Sequence, residues 1–238
     1  MILVNTTALI DADIVAYRCA AVNENSDFGL CIWQTDQLLS RILEDVNAAN
    51  WELYLSGDNN FRYAIDPEYK ANRKEMVRPR HLEAVREYLV TQWNASIADG
   101  YEADDAIGIQ AHRDNVVICS IDKDLLQIPG VHYNFVRRTI ETISEVEARR
   151  NFYIQLLVGD PADNIRGCPR IGKVKAPKLL EECNEEKEFF EAVASAYARA
   201  YEPEPWEHHL IKNAKLLHIL QQEEDSFAWR LALDLVVE

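Results

Sequence analysis

The sequence predicts an α/β fold, a mostly parallel central sheet flanked by helices, followed by a helical C-terminal region. Two patterns predict it. Three short apolar runs, Thr7 to Asp11, Trp51 to Asp58 and Asn115 to Asp122, read as strands, and each ends in an acid. Helical material separates them, and alternating strands and helices imply parallel pairing. In chain order, the first strand runs into Asp11. A helix is then predicted over Asp36 to Ala49, where Leu38, Leu39, Ile42, Leu43 and Val46 share a face. The strand WELYLSGD follows. Arg80 to Trp93 presents Leu82, Val85, Leu89 and Trp93 in the same helical manner, before the strand NVVICSID. Strand signals stop after about Glu147. We therefore expect an α/β domain over 1–150 and helices joined by loops over 151–238. The tail from Trp206 to Val237, with Leu210, Leu216, Leu217, Ile219, Leu220 and Phe227, reads as helices packing on the smaller domain.

Composition excludes some classes. Of 238 residues, 48% are hydrophobic and 27% charged, and no apolar run reaches bilayer-spanning length, so no membrane association is expected. Met1 to Asp11 lacks a basic leader and runs straight into Asp11 and Asp13, which argues against secretion. Five widely spaced cysteines (Cys19, Cys31, Cys119, Cys168, Cys183) with no CxxC read as reduced thiols of a cytoplasmic protein. The net charge of −15 argues, by itself, against a nucleic-acid binder. Its distribution does not. Asn164 to Leu180 holds Arg166, Arg170, Lys173, Lys175 and Lys178 and no acid, and a second basic concentration runs through Arg62, Lys70, Arg73, Lys74, Arg78, Arg80 and Arg86.

The acids fall at element ends: Asp11 and Asp13, Asp58, Glu102, Asp104 and Asp105 in GYEADD, Asp122 and Asp124 in SIDKD, and Asp160 and Asp163 in GDPADN. Gathering them is costly, because neighbouring carboxylates resist joint ionisation, and divalent cations remove that cost. Oxygen ligands without Cys or His select Mg²⁺ or Mn²⁺ over zinc. A lone Asp after a strand is more often a cap or turn residue, and solvation is an alternative for Asp13; the combination is what carries the signal. Two ions about 4 Å apart can drive in-line displacement at phosphorus.

LIDADIVAYR, SGDNNFR, YKANR, GYEADD, SIDKDLLQI and LVGDPADNIRGCPRIGKVKA, in this order, resemble the flap endonuclease and 5′→3′ exonuclease superfamily. YKANRK and the short chain look most like the bacteriophage 5′→3′ exonucleases. The resemblance spans roughly Leu9 to Leu180 and implies a PIN/flap-nuclease-like fold. It implies a metal-dependent 5′ nuclease, in phage DNA replication or degradation, that cuts DNA at a 5′ end or 5′ flap. An RNA strand of an RNA–DNA hybrid is a further substrate it allows. Host-cell cytoplasm and a monomer are expected.

Carried over by residue, Asp11, Asp58, Glu102 and Asp104 look like a first metal cluster with Asp105 beside it, and Asp122, Asp124, Asp160 and Asp163 like a second. Asp11 and Asp104, with Lys70 and Arg73, are expected at the chemistry. In the family, residues matching Lys70 and Arg73 project from a helical gateway, here about 61–86, towards the scissile phosphate. Tyr69 is expected to stack on a base, and Arg18, Arg62 and Lys74 to meet phosphates, with pairing to a nearby Asp an equal alternative for Arg18 and Arg62. Asn164 to Leu180 resembles a helix-hairpin-helix, whose backbone N–H groups bind duplex DNA through Arg166, Gly167, Arg170, Gly172, Lys173 and Lys175, and whose carbonyls hold K⁺. Arg170 stands where the first glycine of the GIG triplet is usual, and Pro177 places the start of the second helix just before it.

His208 and His209 have no third partner at ligand spacing and read as helix-surface residues. Three other functions compete. ALIDADIV fits a phospho-aspartate phosphohydrolase pattern, but GDPADN falls one residue short of its acidic motif and GYEADD and SIDKD go unexplained. An inactive DNA-binding module would not keep every acid. A nuclease acting on RNA alone is the third.

Overall fold

The computed structural model describes residues 5–74 and 76–222. Its elements, in order, are β1 (Thr6–Asp11), α1 (Ala12–Val22), α2 (Phe28–Asp45), β2 (Ala48–Asn60), α3 (Arg62–Ile65), α4 (Leu82–Trp93), β3 (Ser96–Gly100), α5 (Ala103–Gln110) and β4 (Val116–Cys119). There follow β5 (Gly130–Asn134), β6 (Thr139–Ile143), α6 (Glu145–Val158), β7 (Gly159–Asp160), β8 (Ile165–Arg166), α7 (Lys175–Leu179), α8 (Glu186–Tyr201) and α9 (Glu207–Leu217). Two compact units result. Among the described residues, the first holds those up to 60, 77–143 and 220–222, and the second holds 61–76 and 144–219.

The first unit is built on a six-stranded sheet of order β3-β2-β1-β4-β5-β6. All its pairings are parallel except β5 with β6. The mostly parallel sheet expected from the alternating pattern is thus present. Strand β1 is central and buried on both faces, which is why TTALID reads as a continuous apolar run. Ala8 and Ile10 join Val15, Leu38, Leu39, Ile42, Leu53, Leu55, Val85 and Leu89 in one core between the sheet and α1, α2 and α4. Helix α5 packs against β1 and β2.

Helix α2 starts eight residues earlier than the apolar spacing predicts, because Asp27 caps it, accepting Leu30 N–H at 2.9 Å. It stops at Asp45. Asn47 takes φ +50, and Ala48 and Ala49, expected as helix, open β2.

The second unit gathers Phe152, Tyr153, Leu156 and Leu157 of α6 with Phe189, Val193 and Tyr197 of α8 and Leu210, Leu216 and Leu217 of α9. The domain division expected after residue 150 would cut α6; the break falls between 143 and 144, and residues 61–76 belong with the second unit. Leu210, Leu216, Leu217 and Ile219 are buried as expected of the tail, whereas Leu220 belongs to the first unit. Phe227 and the tail through Val237 lie outside the described residues.

Candidate functional site

In the first unit, acids follow the carboxyl ends of four adjacent parallel strands. Asp11 closes β1, Asp58 lies in the last residues of β2, Glu102 and Asp104 follow β3, and Asp122 and Asp124 follow β4. That edge is where open α/β sheets bind ligands. Gly57 brings β2 into position: a Cβ there would stand 2.4 Å from the Ala98 carbonyl oxygen, within the register shift between Ser56 and Asn60 that holds Asp58.

Asp11 is 2% exposed and held at both oxygens. Oδ1 caps α1, accepting Ile14 N–H at 3.1 Å, and Oδ2 accepts the Ser120 hydroxyl at 2.8 Å. Burial pushes its carboxyl up to about 7, helped by the charges of Asp13 and Asp122 and opposed by the hydrogen bonds from Ile14 and Ser120. Asp13, for which solvation is the alternative, is instead ion-paired with Arg86 and accepts Ser56 N–H at 2.8 Å, bracing α1 against α4 and β2. The Ser56 hydroxyl in turn accepts Ala103 N–H at 3.0 Å, fastening the start of α5.

Glu102 and Asp105 form a capping box on α5. Asp105, expected beside the metal ligands, is fully buried: Oδ2 accepts Glu102 N–H at 3.0 Å and Oδ1 accepts Leu220 N–H at 2.9 Å. Its place is as a brace for the backbone. Asp104 remains half-buried in the first turn of α5, and Asp58 is exposed. After β4, Asp122 Oδ1 accepts Asp124 N–H at 2.9 Å, and Asp124 pairs with Lys123.

In the second unit, Asp160 is 8% exposed and accepts Ala162 N–H at 2.8 Å. Gly159 before it takes φ +73, and a Cβ there would stand 2.2 Å from Gly167 N, so only glycine admits this close crossing of β7 and the Gly167 backbone. Asp163 lies within 3.7 Å of Lys70 Nζ, is ion-paired with Arg73, and accepts the Tyr69 hydroxyl at 3.1 Å. Lys70 N–H donates to Asp163 O at 3.0 Å and Arg73 Nε to Ala162 O at 3.1 Å. The two cations expected to face phosphate are thus gathered on one acid expected to face metal.

Two expected DNA contacts are corrected. Tyr69 is 2% exposed with its ring in the core of the second unit, so it has no face to offer a base. Arg62 is 2% exposed and donates through Nε to Leu216 O at 2.8 Å and through Nη2 to His218 O at 2.7 Å, closing the carboxyl end of α9. Exposed cations remain at Arg18 in the first unit and at Lys74, Arg166, Arg170, Lys173, Lys175 and Lys178 in the second. Arg170 adopts φ +66, the left-handed conformation glycine normally supplies. Gly167 packs against Gly159, whereas Gly172 stands in open space. Helix α7 begins at Lys175, which puts Pro177 in its first turn as expected. His208 and His209 open α9, His209 stacked on Tyr201 with ring centroids 4.0 Å apart.

Sequence reasoning missed Ser56 and Ser120, and read Arg86 only as part of a basic concentration. Each acts on a neighbour rather than on a ligand, and the one available signal is position: both serines stand two residues before an Asp.

The acids offer only oxygen donors, and the raised carboxyl of Asp11 reflects negative charge gathered in a dry place, a donor set that suits a hard divalent ion. Among the described residues no three acidic, histidine or cysteine groups stand close enough together to hold an ion by themselves. A divalent ion here would take one or two carboxylates and complete its shell with water.

The fold and this row of carboxylates define an α/β protein with an acid-lined sheet edge. The profile of the 5′-3′ exonuclease N-terminal resolvase-like domain matches residues 6–153, and the chain belongs to that family. It is 30% identical over 204 residues to a DNA polymerase I of Bacillus caldotenax, covering 73% of this chain and 23% of the polymerase. It is 30% identical over 156 residues to a 5′-3′ exonuclease of Buchnera aphidicola, covering 58% of this chain and 54% of that protein. The chain thus spans about a quarter of the first relative's length and about half of the second's. A structure of the bacteriophage T5 D15 flap endonuclease, a pseudo-enzyme-product complex with DNA and metal ions, shares the fold, with a TM-score of 0.67 at 17% identity over 89% of this chain and 88% of that one. No helix among the described residues is long and apolar enough to cross a membrane.

Proposed function

We propose that the chain is a divalent-metal-dependent, structure-selective 5′ nuclease that hydrolyses DNA as a 5′→3′ exonuclease, a flap endonuclease or both, leaving 5′-phosphates and 3′-hydroxyls. The observation that carries this reading is the placement of acids beyond the carboxyl ends of β1, β2, β3 and β4 in a member of the 5′-3′ exonuclease family. Relatives named 5′-3′ exonuclease, and a neighbour solved with DNA and metal ions, support it.

In the first unit Asp11, Asp58, Glu102, Asp104, Asp122 and Asp124 would hold Mg²⁺ or Mn²⁺, singly or with intervening water, and in the second unit Asp160 and Asp163 are the candidate ligands. Two such ions would polarise the attacking water and offset charge on the leaving oxygen. The chain's own part is to hold the carboxylates in place and to supply Lys70 and Arg73 to the non-bridging phosphate oxygens. The exposed run Arg166 to Lys178 would take the duplex through phosphate contacts, in a helix-hairpin-helix whose carbonyls hold K⁺. DNA, or an RNA strand paired with DNA, is the substrate, bound by a monomer in the host cytoplasm during phage replication or DNA degradation.

The test is product sizing on a 5′-flap substrate beside a blunt duplex, with and without Mg²⁺. Mg²⁺-dependent cleavage releasing the flap or 5′ nucleotides is expected. Intact DNA under all conditions would overturn the reading.

A further inference from the structure

Ser120 sits just past the end of β4, half-buried, and its single hydroxyl does two things at once. It donates to Asp11 Oδ2 at 2.8 Å and accepts Asp122 N–H at 3.0 Å, while Asp122 Oδ1 accepts Asp124 N–H at 2.9 Å. A continuous run of hydrogen bonds therefore links Asp11 at the end of β1 to Asp122 and Asp124 beyond β4. A serine hydroxyl has one proton and two lone pairs, so with its proton committed to the carboxylate it can still accept the amide. The bond the hydroxyl donates and the bond it accepts polarise one another.

The other oxygen of Asp11 is tied to its own helix through Ile14 N–H. Without the hydroxyl, the carboxylate would keep its cap and lose its tie to β4, and the Asp122 amide would lose its acceptor at a partly buried position.

We propose that Ser120 is a positioning residue that fixes Asp11 against the Asp122–Asp124 loop and thereby sets the affinity for divalent ions. This rests on the nuclease reading above. Groups that orient metal ligands without touching the metal carry about 10–100-fold in affinity when removed.

The experiment compares the wild-type chain with Ser120→Ala and Ser120→Thr, reading Mn²⁺ binding directly by the loss of free-ion electron paramagnetic resonance signal, and separately reading cleavage of a 5′-flap across a Mn²⁺ series. Ser120→Ala is expected to weaken Mn²⁺ binding about 10–100-fold, with cleavage recovering at high Mn²⁺. Ser120→Thr, which keeps the hydroxyl, should restore affinity to near the wild-type value. Should Ser120→Ala unfold, Ser120→Cys, with its weak S–H donor, takes its place and should also lose affinity. Wild-type affinity in the folded Ala or Cys variant would overturn the positioning role while leaving the nuclease reading standing. A wild-type chain that neither binds Mn²⁺ nor cuts the flap would overturn both.

Discussion

The hydroxyl of Tyr69 donates to Asp163 Oδ2 across 3.1 Å, and the ring behind it is 2% exposed. An aromatic residue in YKANR therefore serves the interior of the second unit, and its polar tip helps hold an acid already flanked by Lys70 and Arg73. Tyr69→Phe is expected to keep the packing and lose the hydrogen bond to a charged acceptor, costing about 1.5–3 kcal/mol in urea unfolding. Affinity for a frayed DNA end should not change; a large loss of affinity with unchanged stability would return Tyr69 to a stacking role.

Arg62→Ala should act on stability and not on DNA. Its guanidinium donates to the carbonyls of Leu216 and His218, and removing it leaves those acceptors without that donor, at about 1–3 kcal/mol for the buried Leu216 carbonyl and less for the part-buried His218 carbonyl. The measurement is denaturant unfolding paired with the salt dependence of duplex binding. A phosphate contact would lower the salt slope by about one when removed, and no such change is expected.

Lys70→Ala should slow single-turnover cleavage of a 5′-flap by about 100-fold, as loss of a donor aimed at developing charge does, with little change in affinity. Equal losses in rate and affinity would make Lys70 an ordinary phosphate contact. Asp124→Asn is expected to lower the cleavage rate by more than about 100-fold, since even partners of metal ligands cost up to that much. Duplex binding, measured by fluorescence anisotropy, should persist.

Acid sensitivity should depend on Asp45, at the carboxyl end of α2. Arg138 grips it at both oxygens, at 2.6 and 2.9 Å, and the Tyr133 hydroxyl adds a third bond. The Arg138 hydrogen bonds first, and the Tyr133 hydroxyl after them, hold its carboxyl below the usual carboxylate range. A carboxyl depressed in the folded chain stabilises it above the ordinary unfolded value, and that stabilisation is lost as pH falls through the depressed one. The gap in thermal midpoint between the wild type and Asp45→Asn should therefore be full at pH 7 and shrink below about pH 4. A gap independent of pH would show that the charge contributes nothing.

Three of the four strands that lead into the acids were legible because each is an apolar run stopped by a carboxylate: β1, β2 and β4 overlap TALID, WELYLSGD and NVVICSID, although β2 starts earlier, at Ala48, and β4 ends sooner, at Cys119. Strand β3 was not legible: of SIADG only Ala98 is buried, so no apolar alternation marks it. The β5–β6 hairpin escaped for the same reason, β6 being exposed over four of its five residues. Tyr69 and Arg62 were misread because their surroundings are distant in sequence. Residues 61–76 pack with 144–219, and no local pattern says whether a tyrosine or arginine in such a segment turns inward. Ser120 was invisible for a different reason, since a hydroxyl that orients a carboxylate has no spacing rule of its own.

At Gly57 and Gly159 the missing side chain lets one stretch of backbone pass almost against another, immediately ahead of Asp58 and Asp160. A saturation library scored for growth or cleavage would therefore return two silent hydrogens among its least replaceable positions. Tolerance to substitution, used alone to find the reactive groups, would rank these inert spacers beside the acids they place.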